Sequence, residues 1–392
     1  MKKWFRLTLM GAAFAGALTV SALAAENTVC ASHLADLGLF RGTEQGYELD
    51  RAPTRAEAAV MLVRLLGAEE QAQALTYTAP FTDLVGWERP YVQYLYENGL
   101  TTGTGADTFG PDGACAAQMY AAFLLRALGY TEEAGDFAYA DAIETAQQYG
   151  IYAPAVVDTV NFLRDDVTAA SYMALAAVPK GDSGTLLDRL VQDGAVDAAA
   201  AAPYQALFAD YAAYRTAVSG MDDLGRFSVR GGLRAEVSGA DSYQLTVHTE
   251  EYLTVNPTAG EATAEGVLTM QSPGIEDYVT AYHRSAVEYA GAERYAMLYG
   301  YGAVPLAVVE QIDRNLTGWT FTLTGLPPVY EGQLWSLSRV SGAPWQMPAQ
   351  STLVQTVRNG RITTQTLTAA FTAAGMDAAV TVTGELESAQ SI

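Results

Sequence analysis

The feature that most restricts what this chain can fold into is a punctuation used three times in its first half: an amphipathic run closed by glycine and then an aliphatic residue. It occurs at Asp36-Leu37-Gly38-Leu39, at Glu97-Asn98-Gly99-Leu100 and at Gln148-Tyr149-Gly150-Ile151. A glycine at such a place can enter the left-handed region that closes a helix, and the aliphatic residue can fold back on the last turn. After each closure comes a polar or glycine-bearing loop and a second apolar run. These runs are Thr54 to Leu66, a stretch ending Arg126-Ala127-Leu128-Gly129, and one from Arg164-Asp165-Asp166 through Leu175. Periodicity of this kind belongs to repeat architectures, whose units bury one another's apolar faces. The expected repeat boundaries are 25–78, 79–133 and 134–197, with a second domain over 198–392.

A length of 392 residues asks for two or three domains. The N-terminus has the parts of a secretory signal over 1–24. Lys2, Lys3 and Arg6 form a basic start, Leu7 to Val20 an apolar run, and Ala22-Leu23-Ala24 a small-x-small cleavage site. No later stretch is apolar enough to cross a bilayer, so the mature chain is expected outside the membrane without a span. Acidic residues outnumber basic ones 44 to 22, a net charge of −22, and such a surface repels nucleic-acid backbones. Cys30 and Cys115 fit either one disulfide or two buried free thiols, and both readings stay open. With two cysteines and three scattered histidines, neither a metal site nor a cofactor is expected.

Phe81-Thr82-Asp83-Leu84, Trp87, Asn98-Gly99-Leu100 and the stretch from Gly103 to Phe109-Gly110-Pro111 together resemble the S-layer homology pattern. Thr54-Arg55-Ala56-Glu57 resembles that family's signature tetrad, and the resemblance runs from about Ala31 to Ala195. It implies three all-α S-layer homology repeats in a pseudo-threefold unit. It also implies non-covalent anchoring of a secreted protein to the cell wall, through grooves that bind secondary cell-wall polysaccharide, often by a pyruvate ketal on an amino sugar. The polymer contacts it assigns fall on Arg55, Glu57, Arg164, Asp166, Asp83, Trp87 and Gly103.

The tetrad also has a reading of its own. Thr54-x-x-Glu57 is a capping box, which places Arg55 in the first helical turn, projecting outward beside free amides where a carboxylate could meet them. The other repeats depart from it. Ala116-Ala117-Gln118-Met119 has neither arginine nor capping hydroxyl, and Leu163-Arg164-Asp165-Asp166 keeps the charges but loses the cap. At most two competent grooves are therefore expected, at Arg55 and at Arg164. Gly103-Thr104-Gly105 lacks the strand and lysine of a phosphate loop and reads as a tight turn.

From Ala198 the texture changes. An alanine-rich junction precedes Pro203, which is expected to open a helix reaching about Met221. Beyond Gly225, alternation takes over at Phe227-Ser228-Val229, Tyr243 to Val247, Trp319 to Leu323 and Val380 to Thr383. Asn359-Gly360 between two such runs signals a hairpin. Val304 to Leu316 reads as a short amphipathic helix. The sum is an α+β domain with a curved antiparallel sheet, which resembles the half-barrel of bacterial lipoprotein carriers in topology alone. Its aromatic residues, Tyr278, Tyr282, Tyr289, Tyr295, Tyr299, Trp319 and Trp335, would line an apolar-ligand cavity or fill a core; a partner-binding or spacer role is the alternative.

No catalytic set emerges. Asp277, His283 and Ser285 are spread too far along one strand, and Asp165-Asp166 and Asp222-Asp223 fall at helix ends, where capping explains them. The chain is read as a binding protein rather than an enzyme. A wall-anchored enzyme acting on wall glycan is the rival reading, and it would need two carboxylates facing across a groove.

Overall fold

Helix pairs build the first half. In the computed structural model the described residues are 28–153, 156–221, 224–239, 243–256, 261–287, 303–325, 346, 348–373 and 375–391. The signal-peptide reading of 1–24 lies outside them, as do Asp222-Asp223, Tyr289, Tyr295, Tyr299 and Trp335. The chain divides into two compact units: Ala24–Ala209 with Pro305–Ala307, and Asp210–Val304 with Val308–Ile392.

The helical unit contains α1 (Thr28–Asp36), α2 (Arg55–Leu65), α3 (Glu69–Gln73), α4 (Arg89–Glu97), α5 (Ala117–Ala127), α6 (Ala142–Gln148), α7 (Arg164–Ala176) and α8 (Leu186–Gln192), and the start of α9 (Ala198–Ala217). The three glycine closures are built alike. Gly38, Gly99 and Gly150 have φ of +74°, +68° and +71°. In each, the glycine N–H donates three residues back, and the next N–H five residues back: Leu39 to Leu34 O, Leu100 to Leu95 O and Ile151 to Ala146 O, all at 2.8 Å. That is the Schellman closure, and Leu39, Leu100 and Ile151 are buried as it requires.

Each first helix then packs on the second helix of the preceding pair: α4 on α2, α6 on α5, and α1 on α7, which closes a ring. The second helices α2, α5 and α7 meet in the middle. This central position explains why they are apolar on nearly every face; α7 buries all of Arg164 to Leu175, charged residues included.

Two expectations fail here. Pro203 does not open its helix. Asp197 caps α9 instead, accepting from Ala199 and Ala200 N–H at 2.9 Å each, and Pro203 sits inside the helix. The alanine run is helical because alanine is the best helix former. The disulfide reading of Cys30 and Cys115 also fails: both are free and buried. Cys30 Sγ–H donates to Ala307 O at 3.3 Å, and Cys115 lies beside the bridge that joins Thr54 to Ala114. Burial pushes both thiols up, Cys115 to about 12.

In the other unit the described strands form one antiparallel sheet. They are β1 (Leu224–Gly239), β2 (Tyr243–Asn256), β3 (Glu261–Gln271), β4 (Tyr278–Val287), β5 (Val309–Arg314), β6 (Gly318–Thr324), β7 (Gln350–Arg358), β8 (Arg361–Ala373) and β9 (Met376–Ser391). Their order is β4-β3-β2-β1-β9-β8-β7-β6-β5, two meanders joined where the first strand pairs with the last. All the alternating segments named above lie in strands. Asn359 (φ +53°) and Gly360 (φ +77°) turn β7 into β8, with Arg358 opposite Arg361.

The helix expected over Val304–Leu316 is absent. A single 3-10 turn at Leu306–Val308 leads into β5, where Ile312 opposes Phe321 of β6. Val309 and Ile312 are β-branched and find a strand to pair with, while Leu316 is fully exposed in the following turn. The last turns of α9 cover part of the sheet. Buried Tyr214 places its ring 4.8 Å from Phe321 and donates to Gln355 Oε1 at 2.8 Å.

Candidate functional site

The starts of α2 and α7 are where the charged residues gather. Thr54 caps α2 as read: its Oγ1 accepts from Glu57 N–H at 3.2 Å and Glu57 Oε2 accepts from Thr54 N–H at 2.9 Å. The first-turn amides expected to be free are occupied. Arg55 N–H donates to Gly113 O at 2.8 Å and Ala56 N–H to Pro111 O at 3.1 Å. The helix start is thus plugged by the 109–113 loop of the next helix pair. Arg55 does not project freely either. Its Nε donates to Phe109 O at 2.8 Å, its guanidinium lies 5.0 Å over the Phe109 ring, and its Nη1 touches Met119 Sδ.

The start of α7 repeats this arrangement on the 47–51 loop. Arg164 N–H donates to Arg51 O at 3.0 Å, Asp165 N–H to Leu49 O at 3.1 Å, and Arg164 Nε to Tyr47 O at 3.1 Å. Bond for bond, Tyr47, Leu49 and Arg51 stand for Phe109, Pro111 and Gly113. Glu48, at φ +49°, stands for Gly110 at +73°. This docking loop was missed in the sequence. The signal was there as a fixed spacing: Tyr47 and Phe109 each precede their helix cap, Thr54 and Ala116, by seven residues, with Asp50 and Asp112 between. The start of α5 has no side-chain cap; Ala117 O accepts from Tyr152 Oη at 2.9 Å instead.

The other assigned residues hold these loops. Asp83 accepts from Phe109 N–H at 2.9 Å and Gly110 N–H at 2.7 Å. Burial raises its carboxyl, and these amides outweigh that and hold it below the usual range. Gly103 has φ +78°, and a Cβ there would lie 2.4 Å from Phe81, so this tight turn accepts only glycine. Trp87, 60% exposed, is open to solvent. Asp166 is buried and accepts from Leu163 N–H at 2.7 Å and Asp158 N–H at 2.6 Å, so α7 keeps half of a capping box. Burial nevertheless pushes its carboxyl up to about 6. Glu57 is held below the usual range, first by Arg51, whose Nη1 and Nη2 donate to its two oxygens at 2.8 and 2.6 Å.

The sheet unit carries a trough of about 1140 Å³ bordered by Gly231, Thr249, Glu251, Gly266, Tyr282 and Gln365. Tyr282 Oη donates to Glu251, lying across Gly266, where a Cβ would strike the tyrosine. Asp277 and His283 engage separate partners, Gln271 at 2.7 Å and Glu265 at 3.4 Å, so no catalytic cluster forms between them.

Residues 80–115 match the S-layer homology domain, a module of cell-wall and cell-surface association, and the chain is an S-layer homology domain protein in that segment. An endoglucanase of Bacillus sp. (strain KSM-635) is 34% identical over 64 residues, 16% of this chain; the chain spans 7% of that enzyme's length. Two solved structures are similar to the chain at low identity and low TM-score. The N-terminal dehydratase from the difficidin assembly line is 9% identical, with 40% of this chain and 78% of that one covered and a TM-score of 0.10. The CurJ dehydratase is 8% identical, with 40% and 74% covered and a TM-score of 0.09. Neither carries an argument about the fold. Among the described residues no helix is long and apolar enough to cross a membrane.

Proposed function

We propose that the helical unit consists of three S-layer homology repeats. In this reading they hold an exported protein non-covalently on the cell wall, by binding a secondary wall polysaccharide that bears a carboxylate such as a pyruvate ketal. The observation that carries this reading is the Arg55 groove inside and beside the matched segment. There the half-buried Arg55 guanidinium is oriented by Phe109 of the next repeat, which also carries exposed Trp87. A fixed guanidinium fork suits a planar carboxylate. The basic start, apolar run and Ala22-Leu23-Ala24 support export. The protein acts in this reading as a binder and not as a catalyst, and the endoglucanase's activity stays with that enzyme.

The test is sedimentation of the chain from Ala25 onward with purified wall sacculi. It should pellet with sacculi that retain the polymer and remain in solution with sacculi stripped of it by acid. Equal pelleting with both would overturn the proposal. Arg55→Ala should weaken binding by roughly ten- to a hundredfold, the loss of a charge-assisted contact, with an unchanged circular dichroism spectrum.

The sheet unit is then what the repeats display at the wall. Its trough, where Glu251, Tyr282 and Gln365 stand beside Val267 and Ala281, suits a second role, carriage of a ligand with both polar and apolar parts.

A further inference from the structure

The exposed face of the sheet carries one continuous line of polar and aromatic side chains. Thr364 of β8, Glu385 of β9, Arg230 of β1, Tyr252 of β2, Glu265 of β3 and His283 of β4 are successive cross-strand partners. Their chain neighbours face the other way, as buried Leu253 beside Tyr252 shows. All of them line the trough of about 1140 Å³, which therefore runs across six strands, about 24 Å at the usual strand spacing. On its floor Gly232 opposes Thr383, and a Cβ there would come 1.9 Å from Thr249 O, so the backbone is bare. Tyr252 is 46% exposed near the middle of the line, and Val267, diagonal to it on β3, is 41% exposed.

This arrangement rules out several occupants. A peptide added as a strand needs an open sheet edge, but β8, β9, β1, β2 and β3 are each hydrogen-bonded on both sides. An anionic polymer would meet Glu250, Glu265 and Glu385. Against them stands Arg230, the one lysine or arginine among the described lining residues, and it already pairs with Glu387 at 2.7 Å. A lipid chain needs enclosing apolar walls, whereas this line is exposed and mostly polar. What fits is a long, uncharged ligand with apolar faces and hydroxyl edges. A chain of pyranose rings has that form: the C–H face of a ring packs on an aromatic side chain, and its hydroxyls donate to carboxylates and accept from a guanidinium. Tyr252, between Arg230 and Glu265, offers those three contacts at one point.

Resting on the reading of the trough as a ligand site, we propose that it holds an uncharged polysaccharide chain laid across the strands, with one sugar ring stacked on Tyr252. The sheet unit is then a second glycan contact of this protein, opposite in charge preference to the carboxylated polymer proposed for the helical unit.

Isothermal titration of the full mature chain with two uncharged β-1,4-linked hexamers, cellohexaose and mannohexaose, tests this, with hexagalacturonate as the carboxylated control of equal length. At least one uncharged hexamer should bind, its dimer at least tenfold more weakly, and hexagalacturonate not at all. Tyr252→Ala should weaken hexamer binding at least tenfold, whereas Tyr252→Phe keeps the ring and should stay within threefold of wild type. Glu265→Gln should weaken the uncharged hexamer and reduce the discrimination against hexagalacturonate. Both side chains are exposed, and circular dichroism with the thermal midpoint checks that each variant is folded. Binding of neither uncharged hexamer, equal binding of hexagalacturonate, or a Tyr252→Ala protein within twofold of wild type overturns the proposal. A discrete mass gain from a lipid extract in a chain that binds no hexamer would overturn it while leaving ligand carriage by the trough intact. Absence of both overturns both.

Discussion

Asp166 shows how one buried side chain can be both a structural necessity and a liability. Two backbone N–H groups donate to it, yet burial, helped by the neighbouring Asp158 carboxylate, outweighs them and lifts its carboxyl to about 6 from 3.8. The folded state then binds the proton more tightly than the unfolded chain between those values. Its contribution to stability is most favourable below about pH 4 and is lost as pH rises through about 6, a difference on the order of 2–3 kcal/mol. Glu57 and Asp83, held below the usual range, act in the opposite sense at lower pH. Comparison with Asp166→Asn isolates the effect. From pH 7 to pH 4.5 the urea stability of the wild type should improve relative to the variant by about that amount. A difference that is flat with pH would mean the carboxyl titrates normally.

At the scale of elements, the helices are stopped and started by local chemistry, and α9 carries a cost inside it. Pro203 sits at the sixth position, exposed, where it cannot donate to Ala199 O. Because the ring buries little there, Pro203→Ala should stabilise the chain by about 1–3 kcal/mol, the interior-proline penalty. The urea midpoint followed at 222 nm reads it, and an unchanged or lower midpoint would mean that the helix is already relieved by a bend. Helix starts follow a different rule. The first-turn amides of α2 and α7 are satisfied by loops of a neighbouring pair, so each helix start is also a joint between pairs. This explains why α7 forms without a capping hydroxyl. Leu163 has no oxygen to offer, and Leu49 O and Arg51 O do the work instead.

For the whole molecule, the helical unit and the sheet unit are separate compact bodies, and the proposed reading gives holding to the first and presenting to the second. If the sheet only presents a surface, native mass spectrometry of the full mature chain should show the bare polypeptide mass, unchanged after incubation with a bacterial lipid extract. A discrete mass gain, lost in Glu251→Gln where the trough's buried carboxylate is neutralised, would establish carriage instead.

The sequence by itself determined whatever depends on a few neighbouring residues. The glycine closures at Gly38, Gly99 and Gly150 were legible because a left-handed φ and an aliphatic residue one step on are a complete local device. So were the Thr54–Glu57 box, the Asn359-Gly360 turn and the alternation of the strands. Only the tertiary structure decided the choice of partners. Within Val304–Leu316, Val309–Arg314 became a strand because β6 offered an edge, and no periodicity within the segment could announce that. Cys30 and Cys115 stayed apart as thiols because each is enclosed in its own surroundings. Arg55 and Arg164 look interchangeable in the chain, but one meets Met119 and the other Glu57, contributed by another helix pair in each case. A charge is fixed by its own residue, whereas its counter-ion is set by the ring of helices that brings distant loops together.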